Sequence, residues 1–178
     1  MNIALVGFKS CGKSSLGAAL ARIEGRAFAD TDAWAEDIFF ERRKKRLSCR
    51  EIYSLEGEEV LRELESEALR RLAGLDGMVV ATGGGIVLRE ENIPLLRRNC
   101  LCVFLDLPLP ALERRLEGRP PSPLFREKSL AATYRERRPL YLEAALLRFR
   151  PEEKASPEAN ALALRKLCRE YRLEHGLL

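Results

Sequence analysis

Near its N-terminus the chain reads Gly7-Phe8-Lys9-Ser10-Cys11-Gly12-Lys13-Ser14. The apolar run 2–6 comes directly before this segment, and residues 13–23 after it carry apolar side chains at helical spacing. A strand, a glycine-rich turn and a helix in this order are the context that the phosphate-binding motif G-x-x-x-x-G-K-[ST] requires. Because the segment lies between a predicted strand and a predicted helix, we reject the alternative that it is a plain turn with a coincidental Gly-Lys-Ser sequence. The segment predicts a phosphate-binding loop.

The residue types in this loop suit the phosphates of ATP. Backbone N–H groups and the positive end of the following helix are expected to surround the β-phosphate. Lys13 is expected to reach the β and γ oxygens as a catalytic residue, and the Ser14 hydroxyl to bind Mg²⁺. The helix N-terminus and Lys13 also favour a Cys11 thiolate, whose alkylation is expected to block ATP. The ATP-binding residues predicted here are Ser10, Cys11, Gly12, Lys13, Ser14 and Ser15.

Strands and helices alternate along the rest of the chain. Besides 2–6, strands are predicted at 78–82 and 100–105, and an extended segment at 27–29. The region 33–71 is helical and highly charged, with breaks near Ser48 and Gly57. The strands are apolar nearly throughout, which is typical of strands covered on both faces. The pattern predicts a three-layer α/β/α fold with a mainly parallel central sheet. Further helices are predicted at 92–98, 110–117, 130–137 and 157–174.

Composition limits the class of protein. The 178 residues, 46% hydrophobic and 33% charged, indicate one domain spanning 1–178. No apolar run approaches the roughly 20 residues of a membrane span, and no basic segment precedes the first apolar residues as in a signal peptide. Five cysteines without a CxxC pair are expected to be reduced thiols. We therefore expect a cytoplasmic protein.

The net charge of +4 raises the question of nucleic-acid binding. Most of the positive charge is arginine interleaved with glutamate, and no aromatic-rich basic stripe accompanies it. The basic run 42–46 is interpreted as a solvated helix end or loop. The hypothesis of a nucleic-acid-binding module rests on this run alone and is disfavoured. The affinity of such a module for nucleic acid would fall steeply with salt.

A phosphate-binding loop does not by itself separate a small-molecule kinase from a GTPase or a motor ATPase. GTPases read guanine with an Asn-Lys-x-Asp segment, which this sequence lacks. It also has no obvious strand ending in an Asp-Glu pair. These observations favour a small-molecule kinase.

Four further motifs, taken with the phosphate loop, resemble the shikimate kinase family. They occur in the family's order and cover roughly residues 1–160. The resemblance implies a P-loop kinase fold with a mobile lid, ATP and shikimate as substrates, and Mg²⁺ as cofactor. The single compact domain indicates a monomer. The resemblance further implies transfer of the γ-phosphoryl group of ATP to the 3-hydroxyl of shikimate, in aromatic amino-acid biosynthesis. The motifs are Phe28-Ala29-Asp30-Thr31-Asp32, Gly57-Glu58-Glu59-Val60-Leu61-Arg62, Gly83-Gly84-Gly85 and Arg137-Arg138-Pro139-Leu140-Tyr141.

The resemblance also implies roles on the acceptor side, whose helical region spans about 33–61. Asp30 would lie near Mg²⁺ through water, and Asp32 would contact the shikimate hydroxyls and accept the proton of the attacking one. The alternative for this segment is an N-cap by Thr31 or Asp32. Arg62 and Arg137 would clamp the substrate carboxylate, which suits planar guanidinium groups.

Backbone and nucleotide contacts follow from the same resemblance. Gly83, Gly84 and Gly85 would touch the substrate through their backbone, the alternative being an ordinary strand-to-helix turn. Arg115 would stack on adenine, and Pro157 would lie on the opposite face of the base.

The lid is expected at about 118–129, and here the sequence departs from the family. The family commonly has Arg-Pro-Leu-Leu, whereas this chain reads Ser122-Pro123-Leu124-Phe125, so that Ser122 replaces the lid arginine. Arg119 is predicted to supply the charge as a catalytic and ATP-binding residue, with Arg126 as the alternative. The departure leaves two rival functions open: a kinase for another polyol acid, such as gluconate, and a nucleotide-binding regulator that has lost catalysis.

Overall fold

The computed structural model describes residues 1–118 and 128–177. Strands and helices alternate as expected for an α/β protein. The strands are β1 (Asn2–Val6), β2 (Phe28–Asp30), β3 (Val79–Ala81), β4 (Cys100–Leu105) and β5 (Leu147–Phe149). The α-helices are α1 (Lys13–Glu24), α2 (Thr31–Arg43), α3 (Cys49–Glu56), α4 (Glu58–Leu72), α5 (Asn92–Asn99), α6 (Leu109–Leu116), α7 (Leu130–Ala144) and α8 (Pro157–Glu174).

The five strands form one parallel sheet in the order β2-β3-β1-β4-β5. Strand β1 is central, and Ile3 pairs with Val79 on one side and with Leu101 on the other. Because all strands run the same way, the residues after β1, β2 and β3 meet at one edge of the sheet. The predicted fold class is confirmed.

Helices cover both faces of the sheet. Helix α1 packs against α8 on one side, while α5 and α7 pack against β4 on the other. Every residue of β1 and β4 is buried between these layers. The rings of Phe104 and Tyr141 stack with centroids 5.3 Å apart, which joins β4 to α7.

The helices on the acceptor side share an apolar cluster of their own. Both predicted breaks are confirmed. Ser48 is the N-cap of α3 and forms a reciprocal capping box with Glu51. Gly57, at a φ of 94°, separates α3 from α4. The cluster fixes these three helices relative to one another beside the phosphate loop. It consists of Ala35, Ile38, Phe39, Ile52, Leu61, Leu64 and Ala68.

Two elements differ from the sequence prediction. Helix α7 continues through Pro139 to Ala144, whereas the pattern predicted an end at Arg137. Tyr141 and Ala144 lie in the core, and their burial outweighs the backbone hydrogen bond that a proline inside a helix forfeits. Strand β5 was not predicted because it has only three residues, of which Leu147 and Phe149 are half-buried and Arg148 between them is exposed.

The basic run 42–46 is an exposed helix end, as expected. Lys44 ends α2 in a left-handed conformation with a φ of 56°. The Arg46 guanidinium lies 4.2 Å from the centre of the Phe40 ring, and Arg42 pairs with Glu67.

Across residues 1–118 and 128–177, no helix has the length and apolar character needed to cross a membrane.

Candidate active site

A cleft of about 670 Å³ opens at the carboxyl edge of the sheet. The phosphate loop forms its floor, and α3, α4 and the Gly83–Gly85 turn form the acceptor side. Gly83 and Arg137 are not among the residues that line this cleft. The structure thus brings together most of the predicted site residues. Those lining the cleft are Ser10, Cys11, Gly12, Lys13, Ser14, Ser15, Asp30, Asp32, Arg62, Gly84, Gly85, Arg115 and Pro157.

The phosphate loop has the backbone shape that anion binding needs. Gly12 precedes α1 with a φ of 102°, which side chains rarely tolerate. The Lys13 side chain folds back over the loop, and its Nζ donates to the carbonyl oxygens of Gly7 at 2.8 Å and Phe8 at 2.9 Å. The ammonium group and the N-terminus of α1 therefore act on the same small volume.

Asp30 joins the phosphate loop to the acceptor helices. Its Oδ2 accepts from the Ser14 hydroxyl at 2.7 Å, and its Oδ1 accepts from the Asp32 backbone N–H at 3.0 Å. Asp30 is therefore the N-cap of α2, which corrects the alternative that Thr31 or Asp32 caps this helix. Thr31 instead accepts from the Gly83 N–H at 2.9 Å. The Asp32 carboxylate is not used as a cap.

Burial and neighbouring charges perturb the Asp32 carboxyl group in the cleft. Burial, together with the nearby carboxylates of Glu65, Asp30 and Glu36, raises its pKa to about 6, while Lys13 acts in the opposite direction. A carboxylate of this pKa is ionised at neutral pH and more basic than an ordinary aspartate. Asp32 thus has the chemistry of a general base.

Arg62 is buried at the acceptor end, with 5% of its surface exposed. Its Nη1 donates to Glu65 Oε2 at 2.7 Å, and its Nε and Nη2 donate to Glu58 Oε1 at 3.2 and 2.8 Å. The two acids fix the plane of the guanidinium group. Since Arg62 lines the cleft, this arrangement presents an oriented cation to an acidic ligand.

Sequence reasoning missed Glu65. It lies one turn after Arg62 in a helix rich in glutamate, and only the structure reveals that it is 3% exposed. Burial raises the pKa of its carboxyl group, and Arg62 opposes that effect. The i, i+3 spacing from a predicted substrate arginine was the signal available in the sequence.

The three glycines have different roles in the structure. The Gly83 N–H is occupied by Thr31, and a β-carbon on Gly83 would overlap Asp32. The carbonyl oxygen of Gly84 accepts from the Tyr141 hydroxyl at 2.5 Å and from Arg137 Nη1 at 3.4 Å. A β-carbon on Gly85 would overlap the guanidinium group of Arg62. Gly83 therefore makes room for a carboxylate, and the substrate contact predicted for it stays a prediction.

Arg115 and Pro157 mark the nucleotide end of the cleft. The Arg115 Nη1 donates to the carbonyl oxygens of Cys11 at 3.0 Å and Ser10 at 3.4 Å. Pro157 is the first residue of α8, after the N-cap Ser156. Both residues line the cleft beside the phosphate loop, on the side away from Asp32 and Arg62.

The structure corrects the expectation for Cys11. Although Cys11 borders the cleft, its side chain belongs to the main core and 1% of the residue is exposed, which disfavours the predicted alkylation. A second cysteine, Cys49, was not predicted in the site, yet it lines the acceptor side and its Sγ donates to the Asp32 carbonyl oxygen at 3.4 Å. Burial and the neighbouring acids raise the pKa of this thiol.

Most of the predicted lid falls outside the part of the chain that the structure describes. This applies to Arg119, Ser122 and Arg126. Arg137 is described, and only 8% of it is exposed.

Comparisons with known proteins identify one family. The model of the family described as shikimate kinase matches residues 9–169. A shikimate kinase from Symbiobacterium thermophilum is 38% identical over 94% of this chain and 96% of that protein, and one from Geobacter sulfurreducens is 41% identical over 82% and 79%.

Among solved structures, the shikimate kinase from Acinetobacter baumannii in complex with shikimate superposes with a TM-score of 0.83 at 28% identity. The match covers 97% of this chain and 94% of that one. The similarity extends over nearly the whole fold. The chain belongs to the shikimate kinase family.

Proposed function

We propose that this protein transfers the γ-phosphoryl group of ATP to the 3-hydroxyl of shikimate, giving shikimate 3-phosphate and ADP. Family membership supports the reaction class. The observation that carries the proposal is one cleft in which a phosphate loop, a basic aspartate and a buried, oriented arginine face the same space. This arrangement suits a ligand with a carboxylate at one end and hydroxyl groups at the other.

The nucleotide would bind with its phosphates on the loop and its base near Arg115 and Pro157. The backbone N–H groups at the start of α1 and the Lys13 ammonium group provide positive charge for the β and γ phosphates. Arg115, fixed by the carbonyl groups of the loop, links the base end of the cleft to the phosphate end. ATP binding therefore depends on the shape of the loop as well as on its charge.

Ser14 and Asp30 are the residues that would hold Mg²⁺, Asp30 through water. Their oxygens lie 2.7 Å apart at the mouth of the phosphate loop. Within the described ranges, no cluster of three or more His, Cys, Asp or Glu could hold a metal by itself. Mg²⁺ is commonly bound by one or two protein oxygens together with substrate phosphates and water, and the hydroxyl of Ser14 and the carboxylate of Asp30 are donors of that type. The bound ion would neutralise charge on the β and γ phosphates.

The acceptor is positioned by charge and hydrogen bonding. Arg62, and Arg137 behind Gly84, would bind the carboxylate of shikimate, and Asp32 would bind its hydroxyl groups. Phosphoryl transfer depends chiefly on an oxygen oriented in line with the γ-phosphorus. Asp32 accepts the proton of the attacking hydroxyl as its oxygen bonds to phosphorus and the bond to the β,γ-bridging oxygen breaks. ADP leaves with the electron pair of the broken bond.

A coupled ADP-release assay with ATP and Mg²⁺ tests this proposal, with shikimate and gluconate as alternative acceptors. We expect release with shikimate, none with gluconate, and a loss of at least about 100-fold in Asp32→Asn, as for other general bases. Asp37→Asn is the matched control, because Asp37 lies on the same helix and is exposed beside Arg46. Release without any acceptor requirement, or with gluconate alone, would contradict the proposal. Binding of ATP without release would favour the regulator.

The cytoplasmic location and the monomeric state remain predictions. All five cysteines are free in the structure, which suits a reducing compartment. Light scattering coupled to gel filtration tests the monomer, for which the expected mass is 20.2 kDa.

A further inference from the structure

Tyr141 is a buried residue of α7 to which the proposed reaction assigns no role. Only 1% of it is exposed, and its ring stacks on Phe104 of the central sheet. Its hydroxyl donates to the Gly84 carbonyl oxygen at 2.5 Å. Burial raises the pKa of the Tyr141 phenol, so the hydroxyl keeps its proton and remains a donor. Tyr141 therefore joins the sheet and α7 to the glycine turn (Gly83–Gly85).

This bond fixes the peptide unit between Gly84 and Gly85. Because a trans peptide is planar, its C=O and N–H groups point in opposite directions. The Gly84 carbonyl oxygen is directed at Tyr141 on α7, so the Gly85 N–H is directed away from α7. Gly84 and Gly85 line the cleft, and α7 supplies none of the described residues that line it. The N–H thus points away from the packed side of the turn.

Gly85 also adjoins the cation that would bind the acceptor. A β-carbon on Gly85 would overlap the guanidinium group of Arg62, so the guanidinium packs directly against this glycine. Glu58 and Glu65 hold Arg62 in that position. An N–H donor beside a fixed guanidinium group is an arrangement that suits a carboxylate, which accepts several hydrogen bonds at once.

We propose that Tyr141 is a positioning residue: its hydroxyl holds the Gly84–Gly85 peptide so that the Gly85 N–H donates to the substrate carboxylate beside Arg62. This inference rests on the proposed function and adds to it a residue that does not touch the substrate. Tyr141 transfers no proton in the reaction. It acts only through the orientation of the backbone.

The glycine turn needs a restraint of this kind. With no β-carbon on either residue, a Gly-Gly peptide can rotate to another orientation at little cost, which would turn the N–H away from the carboxylate. Thr31 accepts from the Gly83 N–H at 2.9 Å, which restrains the peptide before Gly83 but not the one after Gly84. Arg137 Nη1 is a second donor to the Gly84 carbonyl oxygen, but at 3.4 Å. A peptide already oriented before the substrate binds lowers the entropic cost of binding.

The test is a calorimetric titration of wild type and Tyr141→Phe with shikimate and with ADP. Phenylalanine keeps the ring that stacks on Phe104 and removes only the hydroxyl. We expect the Kd and the KM for shikimate to rise roughly tenfold or more, as when a hydrogen bond to a charged group is lost. The affinity for ADP, and kcat at saturating shikimate, should change little.

Tyr134→Phe is the matched control. Tyr134 lies on the same helix, and its hydroxyl also donates to a backbone carbonyl oxygen, that of Leu107, at 3.4 Å. That bond does not involve the glycine turn. The variant should therefore bind shikimate and ADP as wild type does.

The methyl ester of shikimate separates recognition of the carboxylate from a general loss of structure. Esterification removes the negative charge and keeps the ring hydroxyls, so Tyr141→Phe should weaken binding of the ester far less than binding of the acid. Unchanged affinity for shikimate, equal weakening of acid and ester, or weaker binding of ADP would overturn the inference. Wild type that binds shikimate without releasing ADP would refute the proposed function alone, and wild type that does not bind shikimate would refute both.

Discussion

The carboxylates of Asp32 and Glu65 approach Gly83 from the same side. A β-carbon at Gly83 would overlap Asp32 Oδ1 and lie 2.7 Å from Glu65 Oε1. Two buried acids in one small space each disfavour ionisation of the other. Glu65 has Arg62 as a partner at 2.7 Å, whereas Asp32 does not. The result is that the pKa of Asp32 rises to about 6, and the glycine turn makes this arrangement possible.

The first prediction is that Asp32 costs the protein stability at neutral pH. Its pKa is 3.8 unfolded and about 6 folded, so the folded state binds the proton more tightly. Stability from this group is present below pH 4 and is lost as the pH rises to 6. A shift of about two units corresponds to about 3 kcal/mol. Thermal unfolding should therefore give Asp32→Asn a higher Tm than wild type at pH 8, and a similar Tm near pH 4.

The control for this experiment is Asp37→Asn, which replaces an exposed aspartate of the same helix. Its difference in Tm from wild type should be small and independent of pH. If Asp32→Asn unfolds at the same temperature as wild type at pH 8, the Asp32 carboxylate is not disfavoured by the fold.

The second prediction concerns the acid limb of activity. Asp32 must be ionised to accept a proton, so kcat/KM should fall below about pH 6. Glu65→Gln removes the largest charge effect that raises the pKa of Asp32, and the limb should move to lower pH. The same change removes one partner of Arg62. The KM for shikimate should rise roughly tenfold, since a hydrogen bond to a charged group contributes about 1.5 kcal/mol.

Glu58→Gln separates the two effects of Glu65. Glu58 is the other partner of Arg62 at 2.8 Å, but it is not among the main groups that shift the pKa of Asp32. This variant should raise the KM for shikimate and leave the acid limb in place. An equal shift of the limb in both variants would mean that Arg62, and not the Glu65 charge, sets the pH profile.

These relationships mark what the sequence could and could not predict. The phosphate loop, the parallel sheet and the breaks at Ser48 and Gly57 follow from local patterns of glycine, apolar residues and caps. Glu65 does not, because a buried and an exposed glutamate look alike in a charged helix until the chain is folded. The capping role of Asp30 and the burial of Cys11 likewise depend on which way neighbouring side chains point.

The extent of α7 is a related case. Pro139 is a local signal for a helix end, and the sequence predicted one at Arg137. The buried side chains of Tyr141 and Ala144, and the bond from Tyr141 to the Gly84 carbonyl oxygen, come from distant parts of the chain. Tertiary packing therefore overrode a local signal, and it did so in the helix that carries Arg137.

The third prediction tests the space that Gly85 leaves for Arg62. Gly85 has an ordinary backbone conformation, with φ −98° and ψ −3°, which alanine can adopt. Any strain from Gly85→Ala therefore comes from the contacts of the added β-carbon. That carbon would overlap the guanidinium group. Overpacking of this kind costs about 1–3 kcal/mol, and titration of Gly85→Ala with shikimate should give an affinity roughly 10- to 100-fold weaker. Affinity for ATP should be kept.

Gly74→Ala is the matched glycine substitution. Its β-carbon would come no closer than 4.0 Å to the Arg71 carbonyl oxygen, and Gly74 lies beyond the end of α4, away from the cleft. Shikimate and ATP should bind as in wild type. Normal shikimate affinity in Gly85→Ala would indicate that Arg62 can bind the acid from another position.

The fourth prediction distinguishes two adjacent arginines of α6. Arg115 is bonded to the carbonyl oxygens of Ser10 and Cys11, and Arg114 forms an exposed ion pair with Glu153 at 2.7 Å. Arg115→Ala loses both the support of the phosphate loop and a contact at the nucleotide end. We expect the KM for ATP to rise roughly tenfold or more, since two hydrogen bonds from a charged group are lost, with little change in the KM for shikimate.

Arg114→Ala should behave as wild type because exposed ion pairs contribute little. Equal effects of the two substitutions on ATP would argue that α6 acts through its general positive charge, and not through the bonds of Arg115 to the loop.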